Sequence, residues 1–200
     1  MSFSLSQVEF DLEIKITLVG NSSVGKTSLI EQFINKKFNT DVSVTIGESH
    51  FSKYLKIYQK NLLITLWDTA GQEKYKSLNK LFLKNSNIVI FVYDITNIQS
   101  FNDLKTTWIP LVIDLLGIEN IIFGLAGNKS DLYINDTVGI ENGKKYAQEI
   151  NAIFKETTST NYETVELFFI ELIEKYLDLY SYNLHKTKKK TIKRKEQKCC

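Results

Sequence analysis

Sulfur, proline and arginine are scarce in this chain. Its two cysteines, Cys199 and Cys200, sit side by side at the end, so no disulfide can staple the fold and nothing points to an oxidising compartment. The only proline, Pro110, falls inside an otherwise helical pattern over 99–116 and is expected to kink or split that helix. The only arginine, Arg194, lies near the C-terminus, outside every motif described below. Long apolar runs are missing too. No segment approaches the roughly 18 consecutive apolar residues a spanning helix needs. Residues 1–7 lack the basic start and apolar core of a signal peptide, so a cytoplasmic protein is expected unless something anchors it.

What is present describes one globular domain. Two hundred residues with 43% hydrophobic content can bury a real core but leave no room for a second catalytic domain. Charge is unevenly spread. Lys186, Lys188, Lys189, Lys190, Lys193, Arg194, Lys195 and Lys198 cluster at the end, and the remainder holds 17 basic against 22 acidic residues. An acidic body with a basic tail argues against nucleic-acid binding and for a tail drawn to an anionic surface. The expected division is a domain over 1–180 and a disordered polybasic tail over 181–200.

Apolar runs alternate with helical patterns, which predicts an α/β fold: a six-stranded, mostly parallel sheet with one antiparallel strand, flanked by about five helices. Strands are expected at 13–19, 50–58, 61–67, 88–93, 121–127 and 153–157. The second and third should form an antiparallel hairpin across Gln59-Lys60-Asn61. Helices are expected at 26–35, 75–84, 99–116, 140–151 and 162–181. In the last, Val165, Phe168, Phe169, Leu172, Ile173, Tyr176 and Leu177 recur at spacings of three and four and make a core-facing stripe.

Three motifs carry chemistry. Gly20-Asn21-Ser22-Ser23-Val24-Gly25-Lys26-Thr27, after the first strand, fits G-x-x-x-x-G-K-[ST], the loop that cradles phosphates with successive N–H groups and a helix N-terminus. Lys26 adds a full positive charge there, and Thr27 a hydroxyl for magnesium. Asp68, in Trp67-Asp68-Thr69-Ala70-Gly71-Gln72-Glu73, stands at the end of the third strand. There a carboxylate can hold magnesium through water, Gly71 can offer its N–H to a γ-phosphate, and Gln72 can orient an attacking water. Asn128-Lys129-Ser130-Asp131 follows the fifth strand. The Asp131 carboxylate can accept two hydrogen bonds from guanine N1 and N2, a donor pair that adenine lacks, which leaves an ATPase or kinase little room. Lys129 can lie along the base, and Asn128 can tie this loop to the phosphate loop.

These ordered motifs resemble the Ras superfamily of small GTPases over nearly the whole chain, with its P-loop fold. The closest resemblance is to the Rab family, carried by Trp67 to Glu73, by Val92-Tyr93-Asp94-Ile95-Thr96-Asn97 with Ser100-Phe101, by Glu156-Thr157 and by Cys199-Cys200. The resemblance implies a GTP-hydrolysing switch of membrane traffic, using GTP/GDP and Mg2+ and cycling between cytosol and the cytoplasmic face of an intracellular membrane. It implies nucleotide contacts from Gly20, Ser22, Ser23, Val24, Gly25, Lys26, Thr27, Ser28, Phe38, Thr45, Gly71, Asn128, Lys129, Asp131, Thr158, Ser159 and Thr160. Magnesium would lie at Thr27, Thr45 and Asp68, catalysis would rest on Gln72 and Lys26, and Cys199 and Cys200 would carry two geranylgeranyl groups rather than a C-a-a-X modification. The implied partners are an exchange factor, an activating protein, a GDP-dissociation inhibitor or escort protein and state-specific effectors, each meeting a monomer.

The departures are specific. Thr158-Ser159-Thr160 replaces the family's Ser-Ala-Lys loop, and His50 stands where an effector-facing aromatic is expected, with Phe51 expected to point to the opposite face unless a bulge shifts the register. Leu81 to Ser86 differs from the usual Tyr-Tyr-Arg-Gly-Ala. With no arginine in the motifs, intrinsic turnover is expected to be slow. The alternative is a GTP-locked, hydrolysis-poor scaffold of the same fold.

Overall fold

The computed structural model describes residues 9–36, 49–68 and 82–196. Six strands form one sheet: β1 (Leu12–Val19), β2 (Ser49–Ile57), β3 (Lys60–Asp68), β4 (Ile88–Asp94), β5 (Ile122–Asn128) and β6 (Ile153–Glu156). Their order is β2-β3-β1-β4-β5-β6. Only β2 runs antiparallel to its neighbour, as the sequence predicts. Every residue of β4 is buried, which is why Ile88-Val89-Ile90-Phe91-Val92 reads as a continuous apolar run rather than an alternating one.

The hairpin is tighter than the expected link. Ile57 pairs with Lys60, so Tyr58 and Gln59 alone form the loop, with φ of 49° and 66°. A two-residue loop with both φ values positive matches the twist of the flanking strands, and it draws Lys60 and Asn61 into β3.

Helix α1 (Lys26–Asn35) and the last helix, α5 (Tyr162–Glu196), cover one face of the sheet. The predicted stripe on α5 is buried throughout, and Phe33 of α1 stacks on Phe169 with ring centroids 4.3 Å apart. The sequence pattern ends this helix near 181, whereas the backbone helix continues to Glu196. Lysine, arginine and glutamate are good helix formers, so intrinsic propensity favours helix beyond the apolar stripe.

The other face carries α2 (Ile98–Asp103), α3 (Ile109–Leu116) and α4 (Ile140–Glu149) around a second core of Phe91, Phe101, Leu104, Trp108 and Leu125. Asn97 caps α2 by accepting from the N–H groups of Gln99 and Ser100. Pro110 does not break the helical run. A π turn, Leu104–Trp108, joins α2 to α3, and the Ile109 N–H donates to the Leu104 carbonyl five residues back. Proline has no N–H for the usual bond, and its ring would crowd the carbonyl four residues earlier; a wider turn relieves both. The helix expected at 75–84 lies almost wholly outside the described residues.

Candidate functional site

The strand order places a topological switch beside β1, and ligands in such sheets bind beyond the carboxyl ends of the strands. The C-terminal ends of β1, β3, β5 and β6 all lie at that edge. They bring together the described parts of all three motifs, which lie far apart in the chain.

The loop after β1 curls because its backbone visits conformations closed to most side chains. Gly25 has φ of 94°, and a Cβ there would come within 2.3 Å of Asn128 Nδ2; a Cβ at Gly20 would lie 2.2 Å from the Val92 carbonyl oxygen. Ser23 adopts φ of 63° without being glycine. Helix α1 then begins at Lys26 with no side-chain cap and no acidic residue in its first turn, so its N-terminal N–H groups and the positive end of its dipole face the loop. Ser22 and Ser23 lie in the curl, Val24 packs beneath it, and Thr27 and Ser28 sit in the first turn.

Lys26 is 5% exposed. Its ammonium donates to the carbonyls of Gly20 at 2.9 Å and Asn21 at 2.8 Å. Burial lowers its pKa from 10.5 to about 8, against the pull of the nearby Asp68 carboxylate. Asp68, buried at the end of β3, accepts from the Thr27 hydroxyl at 2.5 Å. Hydroxyl and carboxylate oxygens are the hard donors that suit Mg2+, and a buried lysine beside them suits a polyphosphate. The residues present fit both groups.

The base-side loop is built from β5 and β6. Asn128 donates from Nδ2 to the Val24 carbonyl at 2.8 Å, tying it to the phosphate loop, and accepts at Oδ1 from the Thr157 hydroxyl at 3.2 Å. Lys129, with φ of 64°, pairs with Asp94 at 2.6 Å. Thr158 donates its hydroxyl to Asp131 Oδ1 at 2.5 Å, and since that proton is committed, the Thr160 hydroxyl must be the donor in its 2.7 Å bond to Thr158. The chain from Thr160 through Thr158 fixes the Asp131 carboxylate. Thr160 thus supports the loop from within, although it lacks the lysine of the usual pattern. Ser159 is buried beside it.

On the outer sheet face, β2 keeps an unbroken register, placing His50 opposite Trp67 with ring centroids 5.1 Å apart, while Phe51 packs against the core. Phe51 therefore points away from the surface, as the alternation of β2 predicts. Phe38, Thr45, Gly71, Gln72, Cys199 and Cys200 lie outside the described residues.

Sequence reasoning quoted Asn21, Asp94 and Thr157 within its motifs but gave them no role, and it missed Asp103 and Trp108. Asp94 and Thr157 end strands at the same edge, a position that could have marked them. Asn21 gave no such signal, because its partners lie more than 80 residues away.

Comparison with known proteins agrees with this geometry. The family model described as Ras family matches residues 15–178. The chain is 34% identical over 178 residues to Ras-related protein Rab-4A of Homo sapiens, across 89% of this chain and 81% of that protein. It is 37% identical over 179 residues to Ras-related protein RABC1 of Arabidopsis thaliana, across 89% and 84% respectively. With a six-stranded sheet of this topology and a phosphate loop bonded to an Asn-Lys-x-Asp loop, the chain belongs to the Ras family as a divergent Rab-type small GTPase.

Proposed function

We propose that the protein is a GTP-binding and GTP-hydrolysing switch of membrane traffic. The observation that carries the reading is the 2.8 Å bond from Asn128 to the Val24 carbonyl, which couples the phosphate cradle to the base-side loop as one unit. The N–H groups of the 20–28 segment and Lys26 hold the phosphates, while Asp131 accepts from guanine N1 and N2. Thr27, Thr45 and Asp68 would hold Mg2+, directly or through water, and when bound it would supply neutralisation of charge on the phosphate oxygens.

Hydrolysis is an in-line attack of water on the γ-phosphorus. Gln72 orients the water, Lys26 and the loop N–H groups stabilise the charge that develops, and the leaving oxygen stays in the cradle as part of GDP. Loss of the γ-phosphate would remove the contacts proposed for Thr45 and Gly71. Chemistry thereby becomes a change of binding surface, read by effectors and reset by an exchange factor. With no arginine in the motifs, turnover is slow without an activating protein.

The tail is the anchor. Two lipid chains, or one beside a polybasic patch, hold a protein stably on an anionic leaflet. Residues 181–200 supply both, and a GDP-dissociation inhibitor or escort protein would cover the lipids in the cytosol. Single-turnover assays test the switch: GTP loss by the wild type, abolished in Gln72→Leu, is expected. No loss even with activating protein present would instead favour a GTP-locked scaffold. Deleting Cys199 and Cys200 is expected to release the protein from membranes, and unchanged association would refute lipid anchoring.

A further inference from the structure

The P-loop is gripped from outside by side chains that belong to none of the three motifs. Trp108 donates its indole N–H to Asn21 Oδ1 at 2.6 Å, and Asn21 Nδ2 donates to Asp103 Oδ2 at 2.5 Å. Asp103 in turn accepts from Gln99 Nε2 through its other oxygen at 2.7 Å. An indole can only donate and an ionised carboxylate can only accept, so both ends of the Asn21 amide are fixed by one helical run. The main-chain carbonyl of the same asparagine is one of the two that accept from Lys26.

The π turn makes this grip possible. Residues five apart on an α-helix lie about 140° apart around the axis, too far to meet one side chain. A turn closed by a bond between residues five apart brings Asp103 and Trp108 onto a common side. Pro110 supplies the local reason for the wider turn, and Trp108, 2% exposed, is locked by the second core.

We infer that Asn21, Asp103 and Trp108 form a clamp that holds the P-loop backbone in its phosphate-binding curl and slows nucleotide release. They are positioning residues, acting through the peptide planes on either side of Asn21 and through the carbonyl that orients Lys26. The inference rests on the proposed nucleotide site.

The test is release of a fluorescent GDP analogue from the full chain, chased with excess GDP. Trp108→Phe keeps an aromatic ring in the core but removes the indole N–H, leaving Asn21 Oδ1 without its donor, and release is expected to accelerate roughly five- to tenfold. Asp103→Ala, at a half-exposed position where folding is not at stake, is expected to accelerate release in the same direction. Asn21→Ala separates positioning from packing. In that background neither Trp108→Phe nor Asp103→Ala should add a further increase, whereas a merely structural role would multiply the rates. If Trp108→Phe does not fold, the Asp103 and Asn21 cycle decides alone. Unchanged release in the variants, or multiplying rates, would overturn the clamp while leaving the nucleotide site intact. Failure of the wild type to retain the analogue would overturn both.

Discussion

Lys26 carries its charge where burial opposes it. Desolvation lowers its pKa to about 8 in the nucleotide-free protein. In the unfolded chain the group returns toward 10.5, so between these values the unfolded state binds more protons, and nucleotide-free stability rises with pH from about 8 to 10.5. Phosphate binding has the opposite sign, because it requires the ammonium. GDP affinity is therefore expected to fall as pH rises past about 8, by up to about tenfold per unit, in a binding titration from neutral to alkaline pH. Lys26→Met should bind more weakly and show no such fall; an equal fall in that variant would assign the titration elsewhere. The same site shows how one departure is absorbed. Thr160 cannot reach as a lysine does, yet its hydroxyl supports Thr158 and through it Asp131.

At the scale of elements, α5 holds one side of the sheet in place. Phe168 and Leu172 press so closely on β5 that a Cβ at Gly124 would lie 2.9 Å from both side chains. Phe168→Ala is expected to cost about 3–5 kcal/mol in denaturant unfolding, because a cavity in this layer has little room to collapse. A loss under about 1 kcal/mol would contradict the packing described. The strands and the stripe on α5 were legible because short apolar runs and the period-3.6 pattern are local properties of the chain. The π turn was half legible: Pro110 announced a disturbance, but only the packing of Trp108 decides its form. The continuation of α5 to Glu196 escaped the pattern, since lysine-rich sequence reads as tail by charge while its intrinsic propensity favours helix.

At the scale of the whole molecule, the phosphate and base loops could be read because each is a short motif whose spacing carries its chemistry. Their mutual support could not. Asn128 to Val24, Thr158 to Asp131 and Trp108 to Asn21 join residues 104, 27 and 87 positions apart, and no local pattern specifies such pairs. These bonds make separate loops at one sheet edge a single site, held between two cores on either face of the sheet. The central claim is that this site takes a guanine nucleotide. Heating the purified full chain and identifying the released nucleotide by ion-exchange chromatography tests it most directly. GDP or GTP near one equivalent per chain is expected, and recovery of adenine nucleotides alone would contradict the account.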